Sequence, residues 1–288
     1  MATADSGRIQ AEKLAKQFGK VQAVRGIDLD VAPGEIYGLI GPDGAGKTTT
    51  IRMLAAVMKP SSGLARVSGF NTVTHAEKLR SQVGYMAQRF SLYGDLSVRE
   101  NIEFYADIFG VRGPEREERI KRLLRFARLE EFQNRDAGVL SGGMKKKLAL
   151  ACALVHRPRV LFLDEPTNGV DPISRREFWD ILSDLHIEGV TIFISTAYMD
   201  EAERCARVGL IHHGDIIRQG APASLRQVVK GDLVMVVTPE LLRAEEIIAS
   251  AGGVFEVQAY GDRLHVFVDD AARRMPELQS ALSNAQIP

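Results

Sequence analysis

Surplus charge, cysteine and long apolar runs are all scarce in this sequence, and each scarcity narrows what the chain can be. Lys plus Arg and Asp plus Glu both total 37 in 288 residues. With no net field to gather phosphate backbones, nucleic acid is not expected as the main partner, and any charged ligand must be held by local groups. The only cysteines are Cys152 and Cys205. Both lie among apolar neighbours in helix-like segments, which suits reduced thiols better than a disulfide framework. No stretch approaches the ~20 apolar residues of a bilayer span, and residues 1–9 lack the apolar core of a signal peptide. The sequence therefore predicts a protein soluble on its own, in the cytoplasm. No internal repeat or low-complexity tract stands out, and the length allows one large α/β domain with a smaller appendage.

The pattern that is present alternates strands with helices. Ile9 to Leu14 and Val21 to Val31 read as strands joined at Gly19-Lys20, and Pro33-Gly34 resets the chain. Glu35 to Ile40 is a short apolar run that meets a glycine-rich loop, and Thr48 to Met58 is helix-like. From Phe90 to about Arg157 the chain turns helical and charged, a helical insertion with solvated faces. Val160 to Leu163 and Val190 to Ser195 have the unbroken apolar character of buried parallel strands, with the amphipathic segment Ser174 to His186 between them. Val208 to His212 and Ile216 to Gln219 read as a hairpin through Gly214-Asp215. Beyond Lys230-Gly231 strands at 233–237, 254–258 and 264–268 interleave with helices at 239–251 and 271–282, a small α+β domain over 230–288 set against 1–229.

Three motifs carry chemistry. Gly41-Pro42-Asp43-Gly44-Ala45-Gly46-Lys47-Thr48 fits GxxxxGK[ST] between a strand and a helix. Glycines there let backbone N–H groups close on phosphate oxygens without a Cβ in the way. Lys47 supplies a mobile cation for the terminal phosphates, the Thr48 hydroxyl can ligand Mg²⁺, and the helix that follows points its positive end at the same anion. Val160-Leu161-Phe162-Leu163-Asp164-Glu165 ends an apolar strand in two carboxylates. Such a run is common by itself, but beside a phosphate loop Asp164 would organise Mg²⁺ and Glu165 would face the attacking water. Leu140-Ser141-Gly142-Gly143 opens a helix as a second anion-binding N-terminus, with Ser141 as its cap. One nucleotide has no use for two such helix starts, whereas a dimer does.

Over about Ile9 to Arg226 the chain resembles the nucleotide-binding subunits of ABC transporters, with loop, signature and acidic strand in that family's order. The resemblance implies a P-loop ATPase fold of α/β class: a RecA-like core, an antiparallel β subdomain and a helical subdomain at about 90–157. It also implies two such domains pairing head to tail, so that Ser141, Gly142 and Gly143 contact the ATP held by a partner's loop. Gly41, Asp43, Gly44, Ala45, Gly46, Lys47, Thr48 and Thr49 would hold the phosphates, and Phe18 falls where an aromatic ring stacks on adenine. Gln88 falls where a glutamine meets Mg²⁺ and water and links the site to a membrane subunit. Thr48, Gln88 and Asp164 would then serve Mg²⁺, and Glu165, Lys47 and Gln88 catalysis. Asp171 matches the loop that crosses between paired sites. Tyr37 to Ile40, Met199 to Glu203 and the C-terminal domain make the chain most similar to bacterial drug-exporter and polysaccharide-exporter ATPases, which work with separate membrane permeases at the inner face of the membrane. In the drug-exporter subgroup such an extension holds or regulates the dimer.

Two departures stand out. Ala197 occupies the position of the family's switch histidine, and Met144 replaces the usual Gln after the signature glycines. Loss of one preorganised donor typically costs ~10²- to 10³-fold in rate, so the resemblance leaves open slow hydrolysis, a degenerate half of a heterodimer, or another group in the histidine's role. If the strand continues so far, Tyr198 would point to its opposite face and is a poor substitute. Lys145-Lys146-Lys147 reads as a helix face near phosphate rather than a nucleic-acid platform, because no aromatic residues are interleaved. His212 and His213 have no partner at metal-ligand spacing and read as structural. The competing classes are an ATP-dependent clamp on DNA or ribosomes, disfavoured by the absence of a coiled coil or basic surplus, and a regulatory subunit that binds ATP without cleaving it.

Overall fold

The computed structural model describes residues 6–89, 92–226 and 231–288. They form two compact units that divide between Ala223 and Ser224, just ahead of the 229/230 boundary expected from composition.

In the larger unit the chain begins with β1 (Ile9–Phe18) and β2 (Val21–Val31), an antiparallel pair. β3 (Ile36–Ile40) runs into the glycine loop and α1 (Lys47–Leu54). β4 (Ser62–Val67) returns to pair with β1, followed by β5 (Phe70–Asn71), α2 (Ala76–Arg80) and β6 (Val83–Met86). The helical insertion holds α3 (Val98–Ile108), α4 (Pro114–Phe126) and α5 (Gly142–Leu154). β7 (Val160–Asp164), α6 (Pro172–Ile187), β8 (Thr191–Thr196), α7 (Met199–Ala202), β9 (Arg207–His212) and β10 (Asp215–Gly220) complete the order, and α8 (Pro222–Arg226) spans the point in the chain where the units divide.

Two sheets result. One is antiparallel, in the order β2-β1-β4-β5, and the other runs β10-β9-β3-β8-β7-β6. In the second, β9, β3, β8, β7 and β6 are parallel, and β10 closes the edge antiparallel to β9. All residues of β3, β7 and β8 are buried, which is why these runs read as continuously apolar. Val24 and Leu29 of the antiparallel sheet share one core with Leu39, Phe162 and Phe193 of the parallel one. The C-terminal ends of β3, β7 and β8 lie side by side, because Ile40 pairs with Thr196 and Asp164 with Ser195. That edge is where ligands bind in open parallel sheets.

The helix starts follow their sequence signals. Ser97 and Glu100 form a reciprocal capping box on α3, and Asp171 caps α6 with Pro172 in its first turn. Two expectations need correcting. α1 stops at Leu54 rather than Met58, because Ala56 adopts φ +55° and the N–H groups of Val57 and Met58 return to Arg52 O. No glycine marks that stop. β4 was not expected from the sequence, since Ser61-Ser62-Gly63 and Arg66 break the apolar alternation.

The smaller unit contains β11 (Asp232–Val237), α9 (Leu241–Ala249), β12 (Val254–Tyr260), β13 (Arg263–Val268) and α10 (Ala271–Asn284). Its antiparallel sheet has the order β11-β13-β12, and Val234, Leu264, Val266 and Val268 form a core with Ile248 and Leu278 of the helices. No helix among the described residues is long and apolar enough to cross a membrane.

Candidate functional site

The loop from Gly41 to Gly46 is shaped by close packing and by left-handed backbone. A Cβ on Gly41 would sit 2.2 Å from Ile211 O, and one on Gly46, at φ +108°, would sit 2.5 Å from Ala23 O. α1 has no side-chain cap, so its first N–H groups are free to face an anion. Lys47 is only 4% exposed. Its Nζ donates to Gly41 O at 2.8 Å and Pro42 O at 3.0 Å, and lies 3.1 Å from Glu165 Oε1 and 3.8 Å from Asp43 Oδ1. The ammonium is thus held inside the loop and paired with the acidic strand.

β7 delivers its two carboxylates to different partners. Asp164 Oδ1 accepts from Thr48 Oγ1 at 3.0 Å and Ser195 Oγ at 2.9 Å, while Oδ2 is buried and has no hydrogen-bond partner among the described residues. Burial pushes the Asp164 carboxyl above the usual carboxylate range, against the pull of the two hydroxyls. Glu165 turns away from the strand at φ +46°, a conformation that costs a non-glycine residue about 1–3 kcal/mol. Its N–H donates to Ser195 Oγ at 3.0 Å, and its Oε2 accepts from Gln88 Nε2 at 2.6 Å and Asn168 Nδ2 at 3.2 Å.

The result is a cleft of about 310 Å³ lined by Gly44, Lys47, Thr48, Gln88 and Glu165 among others. Asp43, Gly46 and Thr49 also line it, and Ala45 is buried beneath, donating its N–H to Pro42 O. Phe18 is not part of this lining; it is 47% exposed at the end of β1, with Lys16 Nζ 5.1 Å from its ring centroid. Ser141, Gly142 and Gly143 do not line the cleft either. Ser141 caps α5 by accepting from Met144 N–H at 3.2 Å. A Cβ on Gly143 would come within 2.5 Å of Ser174 Oγ, so the signature is seated on the first turn of α6, just after Asp171.

Three participants escaped the sequence reading. Ser195 bridges Asp164 and the Glu165 backbone, and a hydroxyl near the end of an apolar strand beside the loop was a usable signal. Asn168 adds a second donor to Glu165. The lysine run lies on α5 beside the cleft, and two of its members are buried, which the sequence did not indicate. Lys146 and Lys147 are 3% and 7% exposed. Lys147 Nζ pairs with Glu177 at 2.9 Å, and Lys146 Nζ donates to Gln88 O and Glu165 O, both at 3.3 Å. Burial lowers the pKa of the Lys146 ammonium, opposed by the nearby carboxylates of Glu165 and Asp164. Ala197 follows the last residue of β8 and is exposed. Tyr198 lies beyond the strand, at the start of α7, with Arg175 5.2 Å from its ring centroid.

A phosphate loop, an acidic strand and a glycine-opened signature helix on this pair of sheets define an ATP-binding cassette. The family model described as ABC transporter matches residues 24–168. The chain belongs to the ABC transporter family. It is 39% identical over 265 residues to the Nod factor export ATP-binding protein I of Paraburkholderia xenovorans, covering 91% of this chain and 86% of that one. It is 34% identical to the daunorubicin resistance ATP-binding protein DrrA2 of Streptomyces coeruleorubidus, covering 97% and 88%. A probable multidrug ABC transporter ATP-binding protein of Escherichia coli, YbhF, is 49% identical over 217 residues, or 75% of this chain, which spans only 38% of that protein's length. Among solved structures, a dimeric ATP-binding cassette in a post-hydrolysis state with ADP and phosphate superposes with a TM-score of 0.68 at 27% identity, over 74% of this chain and 98% of that one.

Proposed function

We propose that this chain is the ATP-hydrolysing subunit of an exporter, acting as one half of a head-to-tail pair and driving membrane permease subunits from their cytoplasmic side. The observation that carries the reading is the division of the phosphate-binding groups: Lys47, Thr48, Gln88 and Glu165 line one cleft, and the signature residues lie outside it. A second chain's signature would complete the cage. The printed descriptions of the relatives, Nod factor export, daunorubicin resistance and probable multidrug transport, support export as the direction of work.

In this reading the loop N–H groups and Lys47 hold the β- and γ-phosphates, with Phe18 against the adenine. As phosphate arrives, Lys47 exchanges Glu165 for phosphate oxygens, and the released carboxylate orients or deprotonates water. Gln88 and Asn168 keep that carboxylate in place through their donors to Oε2. The unpartnered Asp164 Oδ2 beside the Thr48 hydroxyl is the hard oxygen set that Mg²⁺ prefers, with Gln88 within reach. Bound there, the ion would neutralise charge developing on the phosphates. Ala197 brings no donor to the γ-phosphate, so turnover is slow while ATP binding is retained. The segment from Phe90 to Glu103, whose first two residues lie outside the described ones, receives the membrane subunit around Tyr93 and Leu96.

Gly142→Asp tests the pairing. A Cβ at Gly142 meets nothing closer than Gly169 O at 3.8 Å, and a carboxylate suits a helix start, so the variant folds. It places a negative charge where the partner's phosphate docks. ATP binding to the isolated chain is expected to persist while ATP-dependent dimerisation and phosphate release are lost; unimpaired phosphate release would refute the composite site.

A further inference from the structure

A second cavity, of about 300 Å³, lies at the other end of the parallel sheet. Arg159 and Val190, which immediately precede β7 and β8, help line it. Asp164 ends β7 at the nucleotide cleft, so at ~3.3 Å per residue roughly 16 Å separates the two sites. One wall is a single face of α4, where Arg119, Arg122, Leu123 and Phe126 recur at helical spacing. Leu154 and Leu185, near the ends of α5 and α6, help form an apolar floor.

The charges in this cavity do not balance. Arg119 and Arg157 share one carboxylate, Glu115, at 2.5 and 3.5 Å, and Arg122 pairs with Glu188. Arg159, also in the lining, is exposed and pairs with no carboxylate among the described residues. The ends of α5 and α6 each contribute about half a negative charge, and Arg119 Nη1 answers the first of them by donating to Val155 O at 3.2 Å. Four guanidinium groups against two carboxylates and two helix ends leave an excess of about one positive charge. A cavity of this size holds about ten water-sized groups and falls at the lower end of ligand-binding pockets.

We propose that this cavity binds a small amphiphilic monoanion, a carboxylic acid of about ten non-hydrogen atoms. Its carboxylate is held by Arg159 and Arg157, whose planar forks match that group, and its apolar body lies against Leu123, Phe126 and Leu185. Because α4 belongs to the helical insertion and β7 and β8 to the core, the ligand bridges the two. The site is independent of the nucleotide cleft and of the exporter reading.

Octanoate, with ten non-hydrogen atoms, is the probe, titrated into the full chain by calorimetry beside octanamide and inorganic phosphate. Saturable binding of one octanoate per chain is expected, with octanamide and phosphate each at least tenfold weaker. Arg159→Gln should weaken octanoate about tenfold or more, with melting temperature and MgATP affinity unchanged. Absence of octanoate binding at millimolar concentration, equal affinity for octanamide or phosphate, or an unaltered Arg159→Gln variant would each overturn the proposal.

Discussion

Replacing Glu165 with Gln changes the charge of one side chain that is engaged three times, with Lys47 at 3.1 Å, with Gln88 at 2.6 Å and with Asn168 at 3.2 Å. The pair with Lys47 is nearly sealed from water, its side chains 3% and 7% exposed, so solvent screens it little. Incoming phosphate must take the ammonium from this carboxylate, and the carboxylate then faces the anion it has yielded to. A neutral amide still accepts from Lys47 but holds it less tightly, by the difference between charged and neutral hydrogen bonds, about 1–2 kcal/mol. ATP affinity should therefore rise about five- to thirtyfold. Turnover should fall by about 10²- to 10⁴-fold, the usual contribution of a positioned base. Equilibrium binding of MgATP and single-turnover phosphate release, measured on the same preparations, separate the two effects. A variant that loses turnover with unchanged or weaker ATP binding would refute the claim that Lys47 must be won from Glu165.

Ala197→His should raise ATP turnover tenfold or more by restoring a donor at the end of β8, and an unchanged or lower rate in steady-state assays would count against the slow-site reading. Tyr93→Asp changes a side chain that is 47% exposed while its backbone stays clamped by both amide atoms of Asn101; transport in reconstituted vesicles should fail with ATP binding intact, and intact transport would displace the membrane contact from this segment. Acid should destabilise the fold through His156, whose ring stacks on Phe109 and shares a hydrogen bond with Val83 O. Burial drops its pKa to about 4, below the unfolded value of about 6.5, so the stability it contributes is present above pH 6.5 and lost as pH falls towards 4. Between pH 7 and 5 the loss is about 2 kcal/mol, and urea midpoints of wild type and His156→Phe at both pH values should show the variant less acid-sensitive.

The parallel core was legible because strands covered on both faces must be apolar throughout, as Val160 to Leu163 are. The phosphate loop was legible because it needs residues without Cβ at defined places. The hairpin at Gly214-Asp215 and the elements of the C-terminal unit were readable from turn residues and alternation. β4 was hidden because an edge-proximal strand carrying Gly63 and Arg66 satisfies its backbone through pairing with β1 and needs little apolar pattern. The end of α1 was hidden because Ala56 supplies a left-handed residue without glycine. At the site, local spacing identified Lys47, Thr48, Asp164 and Glu165, whereas Gln88 was found only through resemblance. The burial of Lys146 was hidden because it depends on where the loops of Gln88 and Glu165 come to rest.

The seat of the signature on α6 has a consequence for two-site machines. Gly143 rests on Ser174, which follows the loop leaving this chain's own acidic strand, so in the proposed pair what this chain offers a neighbour would be geared to the state of its own pocket. In the proposed pair, competence in the two roles would nonetheless be separable: Ala197 would handicap only the nucleotide held here, while Ser141 to Gly143 would serve the one held next door. In a mixed pair with a chain that has the histidine, this subunit would be a slow engine and a good lid, and the faster of the two cycles would run on the partner's loop.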